Sequence, residues 1–379
     1  MCGIFGVLIR KEDEGNFEVK NKINNLLNLI EHRGPDNKSY ICDKGVLLGH
    51  TRLSIIDLTS GGNQPMKSNS GRFIITFNGE IYNFESLKRK IDYKFKTNSD
   101  TEVLLALIEN YGVYEAIKKI EGMFAFGLLD KKLNKLYLVR DRAGEKPLYF
   151  SDFDKHSKFN FLFGSEIKLF NNLLNKNEID QQQVNFFLNY GYISGDKSIF
   201  KNINKLKPGH IAEISISDYS IKIFKYWEYQ KIEGNNFFNS DPISSLEKLI
   251  ENSVKKQMVS DVPLGSFLSG GIDSSLVTYF LQKNSSQKVN TFNIGFENKL
   301  YDESSFATEV SKHFNTRHTK LNCSHENVIK FLNNMHNIYD EPFGDPSQIP
   351  TYLVSSLAKS QVKVSLSGDG ADELFGGYD

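Results

Sequence analysis

The sequence predicts two folded parts in series: an α+β part in which two sheets pack face to face with helices outside, and an α/β part with a mostly parallel sheet. Short strands recur through the first part with few helices between them, which is typical of stacked sheets. In the second part strands and helices alternate, and this order favours right-handed crossovers and a parallel sheet. The third observation is the stretch FLSGGIDSS at 267–275, where a strand, a glycine turn and a helix follow one another.

Composition narrows the class of protein. The 379 residues are enough for two domains, and 46 basic against 46 acidic residues leave no net field that favours nucleic acid or an anionic membrane. Cys2, Cys42 and Cys323 are an odd number at spacings that match no metal motif, which disfavours a disulfide framework and a zinc site. No signal peptide is evident, and no apolar run approaches the roughly 18 residues of a spanning helix. We expect a soluble cytoplasmic protein that binds small molecules, without nucleic-acid or membrane partners; the sequence leaves a homodimer open.

Apolar spacing predicts the elements of the first part. Helices are expected at 21–33 and at 100–111, the second with Ser99 as its N-cap. The predicted strands lie at 46–48, 53–56, 72–77, 124–129, 135–139, 159–163, 211–216 and 221–227. Residues 171–180 are polar and rich in asparagine, so a loop is expected there. The first domain is predicted to span 1–230, and 231–241 is the best linker.

The second domain, 242–379, begins with a predicted amphipathic helix at 243–258. Further helices are expected at 274–284, 304–314, 325–339 and 350–359. The predicted strands lie at 262–268, 289–294, 318–321 and 362–367. Ligands of such folds bind at the carboxyl ends of the strands.

The stretch at 267–275 predicts a phosphate-binding turn. Glycines remove the Cβ atoms that would keep the backbone away from an anion, and the free N–H groups at a helix start point at it. A Walker A loop is the competing interpretation, because Gly265 and Gly270 have its first spacing, but Gly271 and Ile272 stand where Lys and Ser/Thr are required. A serine- and glycine-rich turn without a ligand is the structural alternative.

Cys2 is a candidate nucleophile. Met1 precedes a small residue and is commonly removed in that context, which leaves Cys2 with a thiol and a free α-amine. An α-amine has a pKa of roughly 7.7 to 8.0, so it can take the thiol proton near neutral pH, and the thiolate is the nucleophile. On position alone, a cysteine here is more often incidental.

Asn78 and Gly79 are expected at the end of the strand 72–77, and a strand end on a rigid scaffold can present polar groups. The Asn78 side-chain amide and the Gly79 backbone N–H could form an oxyanion hole for a tetrahedral acyl intermediate. The alternative is an Asn-Gly hairpin turn.

An acidic, glycine-rich loop, GDGADELFGG at 368–377, follows the last predicted strand. Beside a phosphate cradle it would repel the anion unless a divalent cation lay between them, so we infer Mg²⁺ bound with ATP. Asp273 and Asp372 are the best-placed carboxylates. Taken alone, the loop is a solvated turn. Asp340-Glu341-Pro342 is a further acidic loop, expected near the acceptor site.

Eight motifs of the first part occur in the order found in the glutaminase domain of class II glutamine amidotransferases, and most of the first 170 residues resemble that family. The motifs are MCGIFG, RGPD, RLSII (52–56), FNGEIYN, NSDTE, GMFAF, RDRAGEKPLY and GSEIK. The resemblance implies an N-terminal-nucleophile αββα sandwich in which Cys2 attacks the side-chain amide of glutamine. It also implies that Arg52 pairs with the α-carboxylate of glutamine and that Glu80 and Asp100 hold the α-ammonium. The remaining implied catalytic and glutamine-binding residues are Leu53, Ser54, Ile55, Ile56, Asn78 and Gly79.

SGGIDSS and SGDGADE of the second part resemble the two loops of the ATP-pyrophosphatase family. The resemblance implies an α/β parallel-sheet domain that releases pyrophosphate from ATP while AMP passes to a carboxylate. The implied ATP contacts are Leu268, Ser269, Gly270, Gly271, Asp273, Ser274, Ile294, Ser367 and Gly368. Asp369 is placed beside the adenylated carboxylate, at a position where many members have Glu, and Asp273 and Asp372 at the metal.

Both halves in this order resemble the glutamine-hydrolysing asparagine synthetases over nearly the whole chain. The resemblance implies that ammonia from glutamine amidates an adenylated aspartate, with AMP and pyrophosphate as products. Members of this family continue beyond the acidic loop, so we expect residues 1–379 to hydrolyse glutamine but to form asparagine poorly. Three alternatives stay open: another acceptor, such as a sugar acid or a peptide; a glutaminase or amidophosphoribosyl-type transferase; and a non-catalytic regulatory protein, which the presence of Cys2 disfavours.

Overall fold

The computed structural model describes residues 1–9, 13, 16–154, 158–173, 178–229, 241–298 and 302–377. The chain forms two compact units. The first comprises Met1–Gln230 and Tyr339–Gly344, and the second comprises Lys231–Ile338 and Asp345–Asp379. Of the predicted linker 231–241, only Asp241 lies within the described residues. The acidic loop Asp340-Glu341-Pro342, which was expected near the acceptor site, is therefore part of the first unit.

The first unit contains two six-stranded sheets whose paired strands are all antiparallel. Its strands are β1 (Gly3–Ile9), β2 (Asn37–Asp43), β3 (Val46–Arg52), β4 (Met66–Lys67), β5 (Phe73–Ile81), β6 (Gly122–Asp130), β7 (Lys135–Arg140), β8 (Tyr149–Ser151), β9 (Phe159–Gly164), β10 (Ile203–Lys205), β11 (His210–Ser215) and β12 (Ile221–Lys225). Its helices are α1 (Phe17–Leu29), α2 (Phe84–Lys88), α3 (Asp100–Tyr111), α4 (Val113–Lys119), α5 (Lys168–Leu173) and α6 (Gln181–Tyr190). The strand orders are β10-β8-β9-β1-β3-β2 and β12-β11-β7-β6-β5-β4.

The two sheets pack face to face, and β1 shows how the sequence produces this arrangement. Successive side chains of a strand point to opposite faces of its sheet. Ile4 and Leu8 of β1 therefore join a core shared with Leu138 of the other sheet. Phe5 and Val7 pack on the opposite face, against apolar side chains of α1 and α5. Helix α3 packs against β5 of the second sheet. The layers follow the order α-β-β-α, which confirms the predicted fold of this unit.

Several elements of the first unit are confirmed where local sequence signals are strong. The predicted helix 100–111 is α3, and the Ser99 hydroxyl accepts a hydrogen bond from the Thr101 N–H at its start. The strands predicted at 124–129 and 135–139 form the antiparallel pair β6–β7. The strands predicted at 211–216 and 221–227 form the pair β11–β12.

Other elements differ from the prediction. The strand predicted at 53–56 is wrong, because the chain after β3 curves around the guanidinium of Arg52, which donates to the carbonyl oxygens of Ile56, Asp57 and Thr59. The helix predicted at 21–33 begins earlier, at Phe17, where the Asn16 side chain accepts a hydrogen bond from the Glu18 N–H. The start of the loop predicted at 171–180 belongs to α5, and residues 174–177 lie outside the described residues.

The second unit is built on a parallel sheet with the order β15-β14-β13-β16, as predicted. Its strands are β13 (Leu264–Phe267), β14 (Asn290–Phe296), β15 (Arg317–Cys323) and β16 (Val364–Leu366). Its helices are α7 (Pro242–Gln257), α8 (Ile272–Lys283), α9 (Ser304–His313), α10 (His325–Ile338), α11 (Gln348–Lys359) and α12 (Ala371–Phe375). The ends of β13 and β16 each lead into one of the predicted ligand loops.

Within the described residues, no helix combines the length and the apolar character needed to cross a bilayer. Cys2, Cys42 and Cys323 form no disulfide with one another. Cys42 is exposed, whereas Cys323 is buried in the second unit.

Candidate functional site

The first candidate site is centred on Cys2, which immediately precedes β1. Pairing of Gly3 with Thr51 places Cys2 beside the end of β3. The Leu53 N–H donates to Cys2 Sγ at 3.4 Å, and the thiol faces the Leu53 carbonyl oxygen at 3.7 Å. The guanidinium Nε of Arg33 donates to the Cys2 carbonyl oxygen at 3.0 Å. The residue is therefore held through both its thiol and its backbone.

Burial governs the ionisation of both groups at this chain terminus. It raises the pKa of the Cys2 thiol, although the neighbouring amine and Arg52 act in the opposite direction. Burial also lowers the pKa of the Met1 amine to about 6. An amine in these surroundings is largely unprotonated near neutral pH, which suits it to accept a thiol proton.

Asn78 and Gly79 lie inside β5, which corrects the expectation that they follow the strand. They pair with Ala125 and Phe124 of β6, so the hairpin-turn alternative is wrong. The Asn78 side chain is 0% exposed, and neither its amide nitrogen nor its oxygen has a hydrogen-bond partner in the part of the chain that the structure describes. A buried polar group left in this state costs roughly 1 to 3 kcal/mol. This cost is consistent with a ligand that supplies the missing partners.

The Gly79 N–H points to the edge of β5 that faces away from β6. Phe77 N–H on the same strand donates to Gln64 Oε1, and Ile81 N–H donates to Asp100 Oδ2, so both point away from β6. N–H groups two residues apart in a strand share an edge, and Gly79 lies midway between these two. Glycine is required here because a Cβ would lie 2.2 Å from the Met123 carbonyl oxygen. The strand thus offers a backbone donor next to the Asn78 amide.

Two acidic residues give the site a negative charge that Lys146 offsets only in part. Burial and the charge of Asp100 raise the pKa of Glu80 to about 7, and Lys146 only partly offsets them. Burial likewise raises the pKa of Asp100 to about 6, against hydrogen bonds from Ile81 and Thr101 that lower it. Glu80 is 6% exposed, and its Oε1 has no hydrogen-bond partner among the described residues. A pair of this kind suits a ligand ammonium group.

Arg52 is less available to pair with a ligand carboxylate than the family resemblance implied. Its Nη1 donates to Thr59 O at 2.7 Å and to Asn63 Oδ1 at 2.9 Å, and its Nη2 donates to the carbonyl oxygens of Ile56 and Asp57. Its terminal N–H groups thus hold the loop that follows β3, and a ligand carboxylate would compete with these bonds or use Nε. Arg52 nevertheless lies near enough to lower the pKa of the Cys2 thiol.

The other implied glutamine contacts continue the same loop. Leu53 is the residue that contacts Cys2 Sγ, and Ser54 N–H donates to Asp36 Oδ2 at 2.8 Å. Ile55 is partly buried, as is Ile56. The structure brings Cys2, Arg52, Leu53 and Asp100 together, and their roles toward a ligand stay predictions.

The second candidate site is the turn between β13 and α8. The Ser269 N–H donates to Ser274 Oγ at 3.2 Å, and the Gly271 N–H donates to Ser269 Oγ at 3.2 Å. The two serine hydroxyls lie 2.9 Å apart. Ser269 and Ser274 therefore support the turn itself, a role that the sequence analysis did not assign to them.

Gly270 has a structural reason for being glycine besides an approach to phosphate. Its φ is +94°, and a Cβ would lie 2.6 Å from the Ala307 nitrogen of α9. By contrast, the one contact of a Cβ on Gly271 in the part of the chain that the structure describes would be Ser269 Oγ, at 3.3 Å. The turn is therefore open at Gly271 and tightly packed at Gly270.

The two predicted ligand loops of the second unit meet. A Cβ on Gly368 would lie 3.0 Å from Asp273 Cβ and 3.0 Å from the Ser274 nitrogen. Ser367 Oγ donates to Asp369 Oδ2 at 2.9 Å. Leu268 is 1% exposed and Ile294 is 8% exposed, and Ile294 lies inside β14 rather than at its end. The placement of Asp273 next to the loop that carries Asp369 is what a shared nucleotide site requires.

The metal residues are only partly brought together. Among the described residues, no group of three or more His, Cys, Asp or Glu side chains is arranged to hold a metal ion. Asp273 lies against Gly368, whereas the Asp372 carboxylate points toward the backbone of Gly377. Mg²⁺ ordinarily uses one or two carboxylates together with substrate phosphates, so Asp273 fits this use better than Asp372 does.

Replacement of Gly270 by Ala is expected to destabilise the second unit. A left-handed φ costs a non-glycine residue roughly 1 to 2 kcal/mol, and overpacking costs roughly 1 to 3 kcal/mol, so the free energy of unfolding should fall by about 2 to 5 kcal/mol. Gly370→Ala is the matched control, because Gly370 has a φ of +91°, but apart from its chain neighbours no heavy atom of the described residues lies within 4 Å of its Cβ position. Urea denaturation of both variants measures the difference. Equal losses would show that contact with α9 is unimportant.

Two residues that hold Cys2 and its adjoining loop in place are not among the predicted site residues. Arg33 and Asp36 belong to the motif RGPD, yet they received no role. Arg33 contacts the Cys2 carbonyl, and Asp36 accepts a hydrogen bond from the Ser54 N–H in the adjoining loop. An arginine and an aspartate flanking a Gly-Pro turn were the available signal, but their partners are distant in sequence.

Two family models match the chain. A glutamine amidotransferase domain matches residues 1–227, and an asparagine synthase domain matches residues 245–379. A putative glutamine-hydrolysing asparagine synthetase 2 of Methanocaldococcus jannaschii is 38% identical over all of this chain and 76% of its own length. The chain belongs to the glutamine-hydrolysing asparagine synthetase family. This confirms the resemblance seen in its motifs.

Other members of this family are longer relative to the chain. The glutamine-hydrolysing asparagine synthetase 1 of Bacillus subtilis is 35% identical, and the chain spans 59% of its length. Asparagine synthetase B of Escherichia coli is 29% identical, and the chain spans 65% of its length. Among solved structures, a glutamine phosphoribosylpyrophosphate amidotransferase of B. subtilis matches with a TM-score of 0.44 at 15% identity, over 96% of this chain and 71% of that one.

Proposed function

We propose that the first unit hydrolyses glutamine at Cys2 and that the second unit uses ATP to activate the β-carboxylate of aspartate for amidation by the released ammonia. The observation that carries the first half concerns the buried Asn78 amide and Glu80 Oε1 on β5, which have no hydrogen-bond partner among the described residues. In the same unit Cys2 is held beside Arg52 and Asp100. An amide donor, an acidic pair and a nucleophile match the amide carbonyl, the ammonium and the reactive carbon of glutamine.

The glutaminase step uses groups of this chain alone. After removal of Met1, the α-amine of Cys2 takes the thiol proton, and the thiolate attacks the side-chain carbonyl carbon of glutamine. The Asn78 amide and the Gly79 N–H donate to the oxyanion that forms. The C–N bond then breaks, ammonia leaves with a proton from the amine, and water hydrolyses the thioester to glutamate.

The synthetase step rests on the second unit. The N–H groups of the Ser269–Gly271 turn and the start of α8 would hold the phosphates, with Leu268 and Ile294 at the adenine and Ser367 and Gly368 nearby. The contact of Gly368 with Asp273 supports this grouping. The aspartate carboxylate displaces pyrophosphate from ATP beside Asp369, and ammonia then displaces AMP to give asparagine. Mg²⁺, held by Asp273 and by Asp372 after a side-chain rotation, would neutralise phosphate charge.

A direct assay tests the proposal. The purified chain should release glutamate and ammonia from glutamine in equal amounts. It should also form AMP and pyrophosphate from ATP, more slowly than it hydrolyses glutamine and only when an acceptor is present, with aspartate preferred over other carboxylates. A chain that releases no glutamate would contradict the first half, and AMP formation with a sugar acid but not with aspartate would contradict the choice of acceptor.

The pKa values of the acidic pair predict a pH-dependent affinity for glutamine. Glu80 and Asp100 have pKa values raised to about 7 and about 6, so both become protonated as pH falls, and the site loses the charges that bind an ammonium. One pH unit below its pKa a carboxyl is about one-tenth ionised, so KM for glutamine should rise about tenfold between pH 8 and pH 6. Initial rates across this range measure it.

The variant Glu80→Gln is the control for that profile. At pH 8 its KM for glutamine should already be about tenfold higher than that of the wild type, because one of the two carboxylates is lost. The KM of the variant should also change less with pH. A wild-type KM that is the same at pH 6 and pH 8 would contradict the assignment of the ammonium site.

A further inference from the structure

A network of side chains with alternating charge connects the Cys2 carbonyl to Asp340. Arg33 donates through Nε to Cys2 O at 3.0 Å and through Nη1 to Glu166 Oε1 at 2.9 Å. Lys168 Nζ lies 2.9 Å from Glu166 Oε2 and 3.4 Å from Asp340 Oδ1. The Lys168 backbone N–H also donates to Asp340 Oδ2, at 3.2 Å. All residues of this network belong to the first unit.

The four charged side chains of this network depend on one another because water has little access to them. The side chains of Arg33, Glu166, Lys168 and Asp340 are 10%, 11%, 20% and 13% exposed. Burial acts to raise the pKa of Glu166, but the hydrogen bond from His32 and the charge of Arg33 outweigh it and lower that pKa to about 2. Removing one member of a buried set of paired charges leaves its partner uncompensated.

The backbone at this point is also tied to β1. The Ser165 N–H donates to Ile4 O at 3.0 Å, and the Ile4 N–H donates to Ser165 Oγ at 3.1 Å. Ser165 thus fixes the backbone next to Glu166 against Ile4, which is two residues from Cys2. The Glu166 carboxylate sets the direction of Arg33, and Arg33 fixes the carbonyl that shares a residue with the reactive thiol and amine.

Glu341 is the neighbour of Asp340 and has a similar role in anchoring but different partners. Lys205 Nζ lies 2.7 Å from Glu341 Oε2, and the Ile199 N–H donates to Glu341 Oε1 at 2.8 Å. The Tyr149 hydroxyl donates to Oε2 at 3.4 Å. Both carboxylates therefore attach Tyr339–Gly344 to the first unit, but the contacts of Glu341 lead to β8 and β10 and those of Asp340 lead to Arg33.

We propose that Asp340, acting through Lys168 and Glu166, is a positioning residue for Cys2. The proposal rests on the glutaminase role of Cys2 given above. It means that a residue from the asparagine synthase part of the sequence, 245–379, takes part in holding the glutaminase nucleophile. When Asp340 is neutral, Lys168 keeps its ion pair with Glu166 but loses the opposing one, so Lys168 draws Glu166 away from Arg33 and the Cys2 carbonyl loses its fixed donor.

The test compares Asp340→Asn with Glu341→Gln in the chain 1–379. Each variant removes one charged anchor of the same segment, so thermal unfolding should shift by a similar amount in both. Asp340→Asn should lower kcat for glutamine roughly tenfold with KM changed by less than about twofold, as expected for one link of a coupled network. It should also slow alkylation of Cys2 by iodoacetamide, followed by mass spectrometry of the amino-terminal peptide. Glu341→Gln should leave kcat and alkylation within about twofold of the wild type, and Asp340→Glu should restore most of the loss.

The possible outcomes separate this proposal from the glutaminase assignment. Equal kcat values and equal alkylation rates in Asp340→Asn and Glu341→Gln would overturn the positioning role. Cys2 alkylation could be slower in Asp340→Asn but not in Glu341→Gln, while the wild-type protein releases no glutamate from glutamine. This result would support the positioning role and overturn the glutaminase function. A loss of kcat in Asp340→Asn that Asp340→Glu does not reverse would also contradict the proposal, because the carboxylate is the group that it requires.

Discussion

Replacement of Cys2 by Ala is expected to lower kcat for glutamine hydrolysis by at least about 10⁴-fold, because the variant keeps the α-amine but has no group that can form the thioester. Substrate binding should persist, since the acidic pair and the oxyanion donors are unchanged. Glutamate release measured with a large amount of enzyme gives the residual rate. Any amidation that added ammonia supports should continue in the same variant, because it does not pass through Cys2.

Cys42→Ala is the matched control for this experiment. Cys42 is an exposed cysteine on β2 of the same unit, so its loss should leave glutamine hydrolysis within about twofold of the wild type, as for most surface substitutions. If Cys2→Ala kept a substantial fraction of activity, or if it abolished ammonia-dependent amidation as well, the division of work between the two units would be wrong.

Replacement of Asn78 by Ala is expected to lower kcat by about 10²- to 10³-fold with a smaller change in KM. Loss of a single oxyanion donor has an effect of about this size in other acyl-transfer enzymes, because the donor acts mainly on charge that develops in the transition state. The substitution also removes a buried amide that has no hydrogen-bond partner within the described ranges, so the free energy of unfolding should change little or rise. Steady-state kinetics and urea denaturation of the same preparation measure both effects.

Asn160→Ala serves as the control for Asn78→Ala. Asn160 lies on β9, is 5% exposed and also has a side-chain oxygen without a hydrogen-bond partner among the described residues, but its amide donates to the Tyr219 hydroxyl at 3.1 Å. Its replacement should change the free energy of unfolding and leave kcat for glutamine unchanged. A loss of kcat that is equal in the two variants would mean that Asn78 acts only through the packing of the sheets.

Elements with strong local signals could be predicted from the sequence. Helix α3 has a capping serine and a continuous apolar face, and strands β13 and β16 of the second unit each lead into a glycine turn, so nearby residues determine these elements. The motif that contains Asn78 and Gly79 indicated their importance. Their position inside β5 depends on pairing with β6, which is more than 40 residues away in the chain, and local patterns do not show such a pairing.

Contacts between distant residues account for what the sequence did not show. The apolar residues after Arg52 predict a strand. In the structure, the guanidinium of Arg52 donates hydrogen bonds to the carbonyl oxygens of this segment, so the chain curves instead. Asp340 and Glu341 read as part of an acceptor site, but their partners are Lys168 and Lys205 of the first unit. An isolated charge in a sequence does not reveal its partner, so these contacts required the structure.

Attack of Cys2 on glutamine at a processed amino terminus can be tested by mass spectrometry of the protein quenched in acid during glutamine turnover. We expect an amino-terminal peptide that begins at Cys2 and carries the added mass of one glutamyl group, while the peptides with Cys42 and Cys323 stay unmodified. An active protein that retains Met1, or a glutamyl group found on Cys42 or Cys323, would contradict it.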